Sequence, residues 1–285
     1  MERTKKLIIV ADDFGLSAGV NRGIMETHRA GLVKSASLIV NLPGFDDAVR
    51  ACSSAPALET GLHLNLTCGL PSAPAAKVPS LLGPDGGFLS LPALLRRLVT
   101  GSMPAAELRE EISAQLKEMK DSGLKISYID SHRHVHMVPR LFRICMELAA
   151  ENGIGAIRLH DERLSGIFRW RGQAVKRFGL KFLSRWMTGE CRRASLKAAP
   201  NVLGTRLFDE KLREANPYVD YVSGVLPGFN LMICHPARVD GDLEALDAYT
   251  APREIELKCL LDPRFREALD RAGVVLSTHG EMSGS

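Results

Sequence analysis

Residues 7–17, LIIVADDFGLS, carry the first clue to the fold of this chain. The apolar run at the start predicts a buried β-strand, and the strand ends at two adjacent carboxylates, Asp12 and Asp13, in a glycine-containing turn. Ser17 then stands where a helix cap is expected. Barrel enzymes place catalytic groups in loops of this kind, at the end of a strand. Taken alone, the two aspartates are more typical of an exposed turn, because Asp and Gly are ordinary turn residues.

Strand-like and helix-like segments alternate from this stretch onward, which is typical of a parallel α/β protein. The clearest helix covers residues 105–123, where apolar residues recur at helical spacing up to Gly123. Including the first strand, about seven strands are expected; the others are SASLIVN, GLHLNLT, KISYIDSH, GAIRLH, NLMICHP and VVLST. Since we find no linker and no repeat, we predict one α/β domain over residues 1–285, a distorted TIM-like (βα) barrel.

Two segments interrupt this alternation. The first, from Pro71 to Leu91, is rich in Pro, Gly, Ser and Ala, which predicts a long active-site loop that could act as a lid. The second is a basic insertion at about 163–199, which contains both tryptophans. Between Arg163 and Lys197 it holds ten basic residues and one acidic residue. The net charge of the rest of the chain is therefore near −5, although that of the whole chain is +4. It is either an amphipathic insertion packed on the barrel or a surface for an anionic partner.

Composition is that of an ordinary globular protein, with 45% hydrophobic and 25% charged residues in 285. An uninterrupted apolar stretch of about 18 residues, long enough to cross a membrane, does not occur. The six cysteines are scattered and form no CxxC pair, which favours free thiols in a reducing compartment. The short apolar run near the start is too brief for a secretion signal. We therefore expect a cytoplasmic protein.

A second cluster of polar residues, DSHRHVHMVP at 130–139, holds three of the eight histidines within five residues. On an extended backbone alternate side chains share one face. Here these would be Asp130, His132, His134 and His136. His63 lies on the polar face of the strand GLHLNLT together with Asn65. A solvated loop is the simpler alternative for the cluster, but three alternating histidines after a buried strand favour metal binding or catalysis.

These residue types suit a hydrolytic metal site. One carboxylate and two imidazoles hold a divalent ion and leave positions open for water and a substrate carbonyl. A second carboxylate outside the coordination sphere can then act as a base, which gives Asp12 and Asp13 different roles. A departing amine also needs an acid. His235, at the end of the strand NLMICHP, is one candidate, although a packed histidine before a Pro turn is as good an interpretation of the local sequence.

Four segments together resemble the YdjC-like carbohydrate deacetylases, a family that includes chitooligosaccharide deacetylases and proteins associated with hopanoid biosynthesis. They are LIIVADDFGLS, GLHLNLT, YIDSHRHVHMVP and MICHPA, in this order. The resemblance is clear over residues 5–160, resumes around 225–240 and is faint at about 162–215. It implies a distorted barrel related to polysaccharide deacetylases and the removal of an acetyl group from an N-acetylated sugar such as N-acetylglucosamine.

The resemblance also implies roles for individual residues. The metal would be held by Asp13, His63 and His132, with Asp12 as general base. His235 matches the family's histidine before proline, as a general acid or a substrate ligand. Family members are reported to use Mg²⁺, whereas the ligand types favour Zn²⁺ or another transition metal, so the metal stays open between these.

Five further residues are candidates either for contacting the substrate or for supporting the metal ligands from behind. They are Asn65, Asp130, His134, His136 and Arg158. The basic insertion suggests a substrate that is anionic or lipid-linked, or a peripheral membrane contact. Nucleic acid is not expected, because no recognised motif accompanies the charge.

Two other functions stay open at this point, and a homodimer is a further possibility for the assembly. A metal-dependent phosphoesterase would use the same kinds of residue, since Asp and His clusters in barrels also serve phosphate chemistry. A non-catalytic carbohydrate-binding protein of the same fold is the other alternative, against which the complete set of Asp and His residues speaks.

Overall fold

The central sheet contains eight strands in the ranges that the computed structural model describes, which are residues 3–159, 174–204 and 216–284. The strands are β1 (Lys5–Phe14), β2 (Ser35–Leu38), β3 (Glu59–Leu64), β4 (Tyr128–Ser131), β5 (Ala156–Ile157), β6 (Val202–Leu203), β7 (Gly228–Cys234) and β8 (Val274–Leu276). Their order is β5-β4-β3-β2-β1-β7-β6, and β8 pairs with the first residues of β1. All these strand pairs are parallel, as predicted.

Helices follow most of the strands. They are α1 (Ala18–Arg29), α2 (Phe45–Ser53), α3 (Leu91–Thr100), α4 (Ala105–Asp121), α5 (Pro139–Glu151), α6 (Ala174–Arg193), α7 (Pro217–Val222), α8 (Gly241–Leu246), α9 (Ala251–Leu261), α10 (Pro263–Arg271) and α11 (His279–Ser283). Ser17 caps α1 through a hydrogen bond from the Val20 amide, and Gly123 has a positive φ after α4, both as the sequence indicated.

The sheet curls into a half-barrel, which confirms the predicted fold class. Along β1, Leu7 and Ile9 face outward into the large core under the helices, whereas Ile8 and Val10 face inward. The alternation is that of a strand buried on both faces. A separate apolar cluster fills the inside of the barrel: Ile8, Val10, Tyr128, Ala156, Ala199, Val202, Leu231 and Ile233.

The inward rows of side chains become polar at the carboxyl ends of the strands. Asp12 follows Val10 by two residues, and His235 and Asp130 follow Ile233 and Tyr128 by the same spacing. Because side chains alternate along a strand, the two members of each pair lie on the same side of the sheet. His63 lies inward on β3, paired in register with Asp130 on β4. The fold thus collects residues far apart in sequence at one end of the half-barrel.

Gly61 makes room for the aromatic floor of this interior. A Cβ atom at position 61 would lie 2.5 Å from the Tyr128 ring, so a larger residue would displace it. His279 stacks on Tyr128, with ring centroids 3.7 Å apart. The carboxylate of Glu59 accepts hydrogen bonds from the His279 and Gly280 amides, which fixes α11 against the barrel.

The predicted loop from Pro71 to Leu91 contains two short 3₁₀ turns, Ala75–Lys77 and Pro79–Leu81. The buried carboxylate of Glu111 on α4 accepts hydrogen bonds from the amides of Ser72 and Ala73. The start of the loop is therefore anchored to α4.

Of the basic insertion, residues 163–173 lie outside the described residues. From Ala174 the chain forms α6, and near its end Trp186 packs on α5, with its ring 6.0 Å from that of Phe142 and 5.2 Å from the Arg143 guanidinium. In the ranges given above, none of the helices combines the length and the apolar character needed to span a membrane.

Candidate active site

Asp13, His63 and His132 converge at the carboxyl end of the sheet. An oxygen of Asp13, Oδ1, lies 2.7 Å from His132 Nδ1 and 3.3 Å from His63 Nε2. One potential ligand atom from each residue falls within 4.8 Å of the others, and all three residues are buried. The three residues expected to bind a metal are thus brought together.

The backbone explains how two adjacent aspartates reach the same site. Neighbouring residues of a regular strand point to opposite faces. Asp13, however, has a φ of 68°, in the left-handed region, and the register of β1 with β2 shifts between Ala11 and Phe14. Aspartate tolerates this conformation better than most residues. The bend breaks the alternation, so the carboxylates of Asp12 and Asp13 both face the interior.

His63 is oriented from behind by Asp130. Its Nδ1 donates to Asp130 Oδ1 over 2.5 Å, which leaves Nε2 facing Asp13. Burial disfavours the charged ring, but Asp130 and Asp12 outweigh it and raise the pKa of His63 to about 10. A carboxylate behind a metal-binding histidine is a common arrangement. The cluster therefore attracts positive charge, which a divalent ion would supply in place of the proton.

The donor set supports this group over a second candidate. Asp12, His63 and Asp130 also come within range of a common ion. However, Arg158 already pairs with both of these carboxylates, at 2.6 Å in each case. Asp13 keeps Oδ1 toward the two imidazoles while Arg253 binds its other oxygen at 2.6 Å. Two nitrogens and one oxygen are a ligand set that suits a hydrolytic metal.

Asp12 is held as a carboxylate by Arg158. The guanidinium donates to both oxygens of Asp12, over 2.6 and 2.7 Å. Burial favours the protonated acid, but Arg158 overcomes it and the pKa of Asp12 falls to about 2. Asp12 is therefore ionised at neutral pH, next to the candidate metal ligands.

His235 follows the last residue of β7 and lies near Asp12. Its side chain is 22% exposed, and its Nε2 is 3.9 Å from Asp12 Oδ2. Burial disfavours the imidazolium, yet the Glu256 carboxylate outweighs this and raises the pKa of His235. A protonated, partly exposed histidine facing Asp12 has the properties of a proton donor.

Asp130 and Ser131 belong to β4, but the expected extended backbone does not continue through residues 132–136. A 3₁₀ turn covers His132–Met137, and Arg133 and His134 have positive φ angles. The turn sends His132 to Asp13, whereas His136 is buried between the Ser131 hydroxyl (2.5 Å) and the Arg158 carbonyl (3.0 Å). His132 and His136 consequently do not share a face.

Other predicted residues lie behind the site. Arg158 has a fully buried side chain and binds Asp12 and Asp130. Asn65 is also buried, and its side chain organises the turn after β3 by accepting from the Thr67 amide and donating to Asn41. In the positions described, both contact protein groups around the site.

Four functional-site residues were not predicted from the sequence. Ser37 donates to Asp130, Arg253 binds Asp13 and Asp247, and Glu256 lies against His235. Their types offered a weak signal, since Arg253 and Glu256 are charged residues within the apolar pattern of α9 and stand one helical turn apart. Which face of that helix would be buried could not be read from one sequence.

Comparison with known protein families assigns this chain to one of them. Residues 6–271 match the family described as YdjC-like protein. The chain belongs to the YdjC-like family. Membership confirms the resemblance inferred from the four sequence segments.

Two curated relatives of this YdjC-like protein are named carbohydrate deacetylase. The protein from Geobacillus stearothermophilus is 32% identical over 275 residues, which cover 96% of this chain and 97% of the relative. The one from Brevibacillus brevis is 45% identical over 148 residues, and this alignment spans about half of each protein, 51% of this chain and 56% of the relative.

A solved structure has the same fold. The crystal structure of an Enterococcus faecalis protein, named for cellobiose-phosphate cleavage, superposes with a TM-score of 0.80 at 26% identity. The match covers 98% of this YdjC-like protein and 99% of that chain.

Proposed function

We propose that this YdjC-like protein is a carbohydrate deacetylase that uses one divalent metal ion to hydrolyse the acetamido group of an N-acetylated sugar. The observation that carries the proposal is the pairing of a three-ligand site, Asp13, His63 and His132, with two separate titratable groups, Asp12 and His235. Amide hydrolysis needs a base for the attacking water and an acid for the departing nitrogen. The relatives named carbohydrate deacetylase support the choice of substrate class.

Each protein group has a defined task in this proposal. Asp12, kept ionised by Arg158, takes the proton of the attacking water as the new C–O bond forms. His235 gives its proton to the nitrogen as the C–N bond breaks, so acetate and a free amino sugar leave. Asp130 fixes the His63 ring from behind.

The ion would be bound by Asp13, His63 and His132. When bound, it would supply Lewis-acid chemistry by polarising the carbonyl and lowering the pKa of water. Mg²⁺ agrees with the family resemblance and Zn²⁺ or another transition metal with the ligand types. We keep both as alternatives for the metal experiment.

The finer features of the substrate belong to the same proposal. We propose an N-acetylglucosamine-type oligosaccharide or glycolipid and a cytoplasmic reaction carried out by one domain. The basic residues at 163–199 would favour an anionic or lipid-linked carrier and contact with a membrane surface. Binding to anionic vesicles that weakens with added salt would support this part.

The deciding experiment measures acetate release from free and lipid-linked N-acetylglucosamine compounds, together with the metal content of each protein. Asp12→Asn should retain the metal and lose at least about 100-fold in kcat, as expected for a lost general base. Asp13→Asn should lose both metal and activity, and Asp242→Asn, at an exposed carboxylate, should change neither. Release of phosphate in place of acetate would show a phosphoesterase. Sugar binding without turnover would show a binding protein.

A further inference from the structure

The Glu256 carboxylate is enclosed at the centre of a small polar network. Glu256 is 1% exposed and lies on α9. One carboxylate oxygen accepts from the His235 amide (2.7 Å) and the Tyr218 hydroxyl (2.5 Å), and the other from the Tyr249 hydroxyl (2.7 Å). The imidazole Nδ1 of His235 lies 3.5 Å from that second oxygen.

The network keeps Glu256 charged in spite of its burial. Burial alone raises the pKa of a carboxyl group. The cation on His235 and the hydrogen bonds from both tyrosines outweigh this effect and lower the pKa of Glu256. A buried carboxylate is stabilised by a neighbouring cation, and protonated His235 supplies that charge to Glu256. The negative charge of Glu256 and the positive charge of His235 therefore stabilise each other while the two side chains stay in contact.

We propose that Glu256 is a positioning residue that holds His235 protonated and keeps its Nε2 directed at Asp12. The role rests on the proposed function, in which His235 is the proton donor to the leaving nitrogen. In that role His235 must stay charged although it lies in a partly buried site, and its ring must not rotate away from the substrate. Glu256 meets the first need through its charge and the second by binding both the backbone and the ring of the same residue.

The other groups around His235 do not account for its charge equally well. Asp12 on β1 also favours the protonated ring, but it lies farther away, at 3.9 Å, and is already paired with Arg158. Arg253 on α9 opposes the imidazolium. The ring of Tyr249 meets that of His235 edge to face, with centroids 5.9 Å apart, and limits its rotation. Glu256 is therefore the main source of the protonated state.

Helix α9 consequently serves two parts of the site at once. Arg253 and Glu256 stand three residues apart and share one face of the helix. Arg253 binds the candidate metal ligand Asp13, and Glu256 binds His235. One helix face thus contacts both the candidate metal ligand and the proposed proton donor.

The test is an NMR titration of His235 in the full chain, labelled with ¹³C at histidine and assigned with His235→Gln. In the wild type, His235 should titrate above the ordinary histidine range. Glu256→Gln, which keeps the shape but not the charge, should lower the midpoint by about one unit or more. Glu254→Gln removes a charge from the same helix away from His235 and should leave the midpoint unchanged.

Kinetics give the second readout. In Glu256→Gln, the alkaline limb of the kcat profile should move to lower pH with little change in KM, and Glu256→Asp should restore part of the shift. An unshifted midpoint in Glu256→Gln, or a wild-type midpoint at or below the ordinary value, would overturn the proposal even if the variant folds poorly. If the midpoint falls as expected but the wild type releases no acetate, the positioning role of Glu256 stands and the deacetylase assignment fails.

Discussion

The two terminal nitrogens of the Arg158 guanidinium each donate a hydrogen bond to one carboxylate oxygen of Asp12. The same cation lies 2.6 Å from an oxygen of Asp130, and none of the three side chains is more than 2% exposed. One buried cation thus balances two buried anions, one that would act on the substrate and one that orients His63.

We expect Arg158→Met to lower the free energy of unfolding by about 3–5 kcal/mol at pH 7, because two buried carboxylates lose their counter-charge. The low pKa of Asp12, about 2 against an ordinary 3.8, stabilises the wild type above about pH 4. That contribution disappears as the pH falls toward 2. Urea unfolding should therefore show a smaller difference between variant and wild type at pH 3 than at pH 7. Equal losses at both pH values, or a comparable loss in the exposed-site control Arg50→Met, would contradict the charge interpretation.

Metal binding should stabilise the folded chain. A ligand that binds only the folded state at 100 times its Kd adds about 2.7 kcal/mol. Zn²⁺ or Mg²⁺ should therefore raise the Tm of the wild type but not that of His132→Ala, which lacks one candidate ligand. His28→Ala, on α1 and away from the site, serves as the control. An equal rise in Tm for His132→Ala would place the ion elsewhere.

His136 should make the fold sensitive to mild acid. Burial lowers the pKa of His136 to about 4, from an ordinary 6.5. As the pH falls below about 6.5, the unfolded chain binds a proton that the folded chain excludes, so stability decreases until about pH 4. The loss is on the order of 3 kcal/mol. Urea midpoints across this range should show a flatter pH dependence for His136→Gln than for the wild type, and an unchanged dependence would mean that another group is responsible.

Glu111 should control the mobility of the loop from Pro71 to Leu91. Its buried carboxylate accepts hydrogen bonds from the backbone amides of Ser72 and Ala73 and from the side-chain amide of Gln115. Glu111→Ala leaves these amides without a partner, at a cost of about 1–3 kcal/mol. Hydrogen exchange in the loop should become faster, while exchange in β1 changes little. Asp121→Ala, at an exposed carboxylate of the same helix that pairs with Lys117, should not reproduce this effect.

Much of the fold could be predicted because strand and helix periods are local properties. The apolar run before Asp12 and the alternation around His63 identified two strands, and parallel strands bring their carboxyl ends together. The same reasoning failed at His136, because a turn with left-handed residues follows β4 and local alternation no longer applies.

The residues that support the site from behind could not be predicted in the same way. Glu256 and Ser37 act through partners that lie 21 and 93 residues away in sequence. The charge of Glu256 within α9 is a weak signal, but it does not identify His235 as the partner before the tertiary packing is known. A single sequence shows which side chains can react, but the groups that set their protonation depend on tertiary packing.

The left-handed backbone at Asp13 narrows the ways in which this site could change during evolution. Asparagine is, like aspartate, tolerated in that conformation, and the two codon sets differ by one transition. A single nucleotide change could thus produce a descendant with the same bend but without the carboxylate of the proposed metal site. Under the proposed function such a descendant would lose hydrolysis while Asp12, His63 and His235 stay in place, so a non-catalytic relative lies one nucleotide change away.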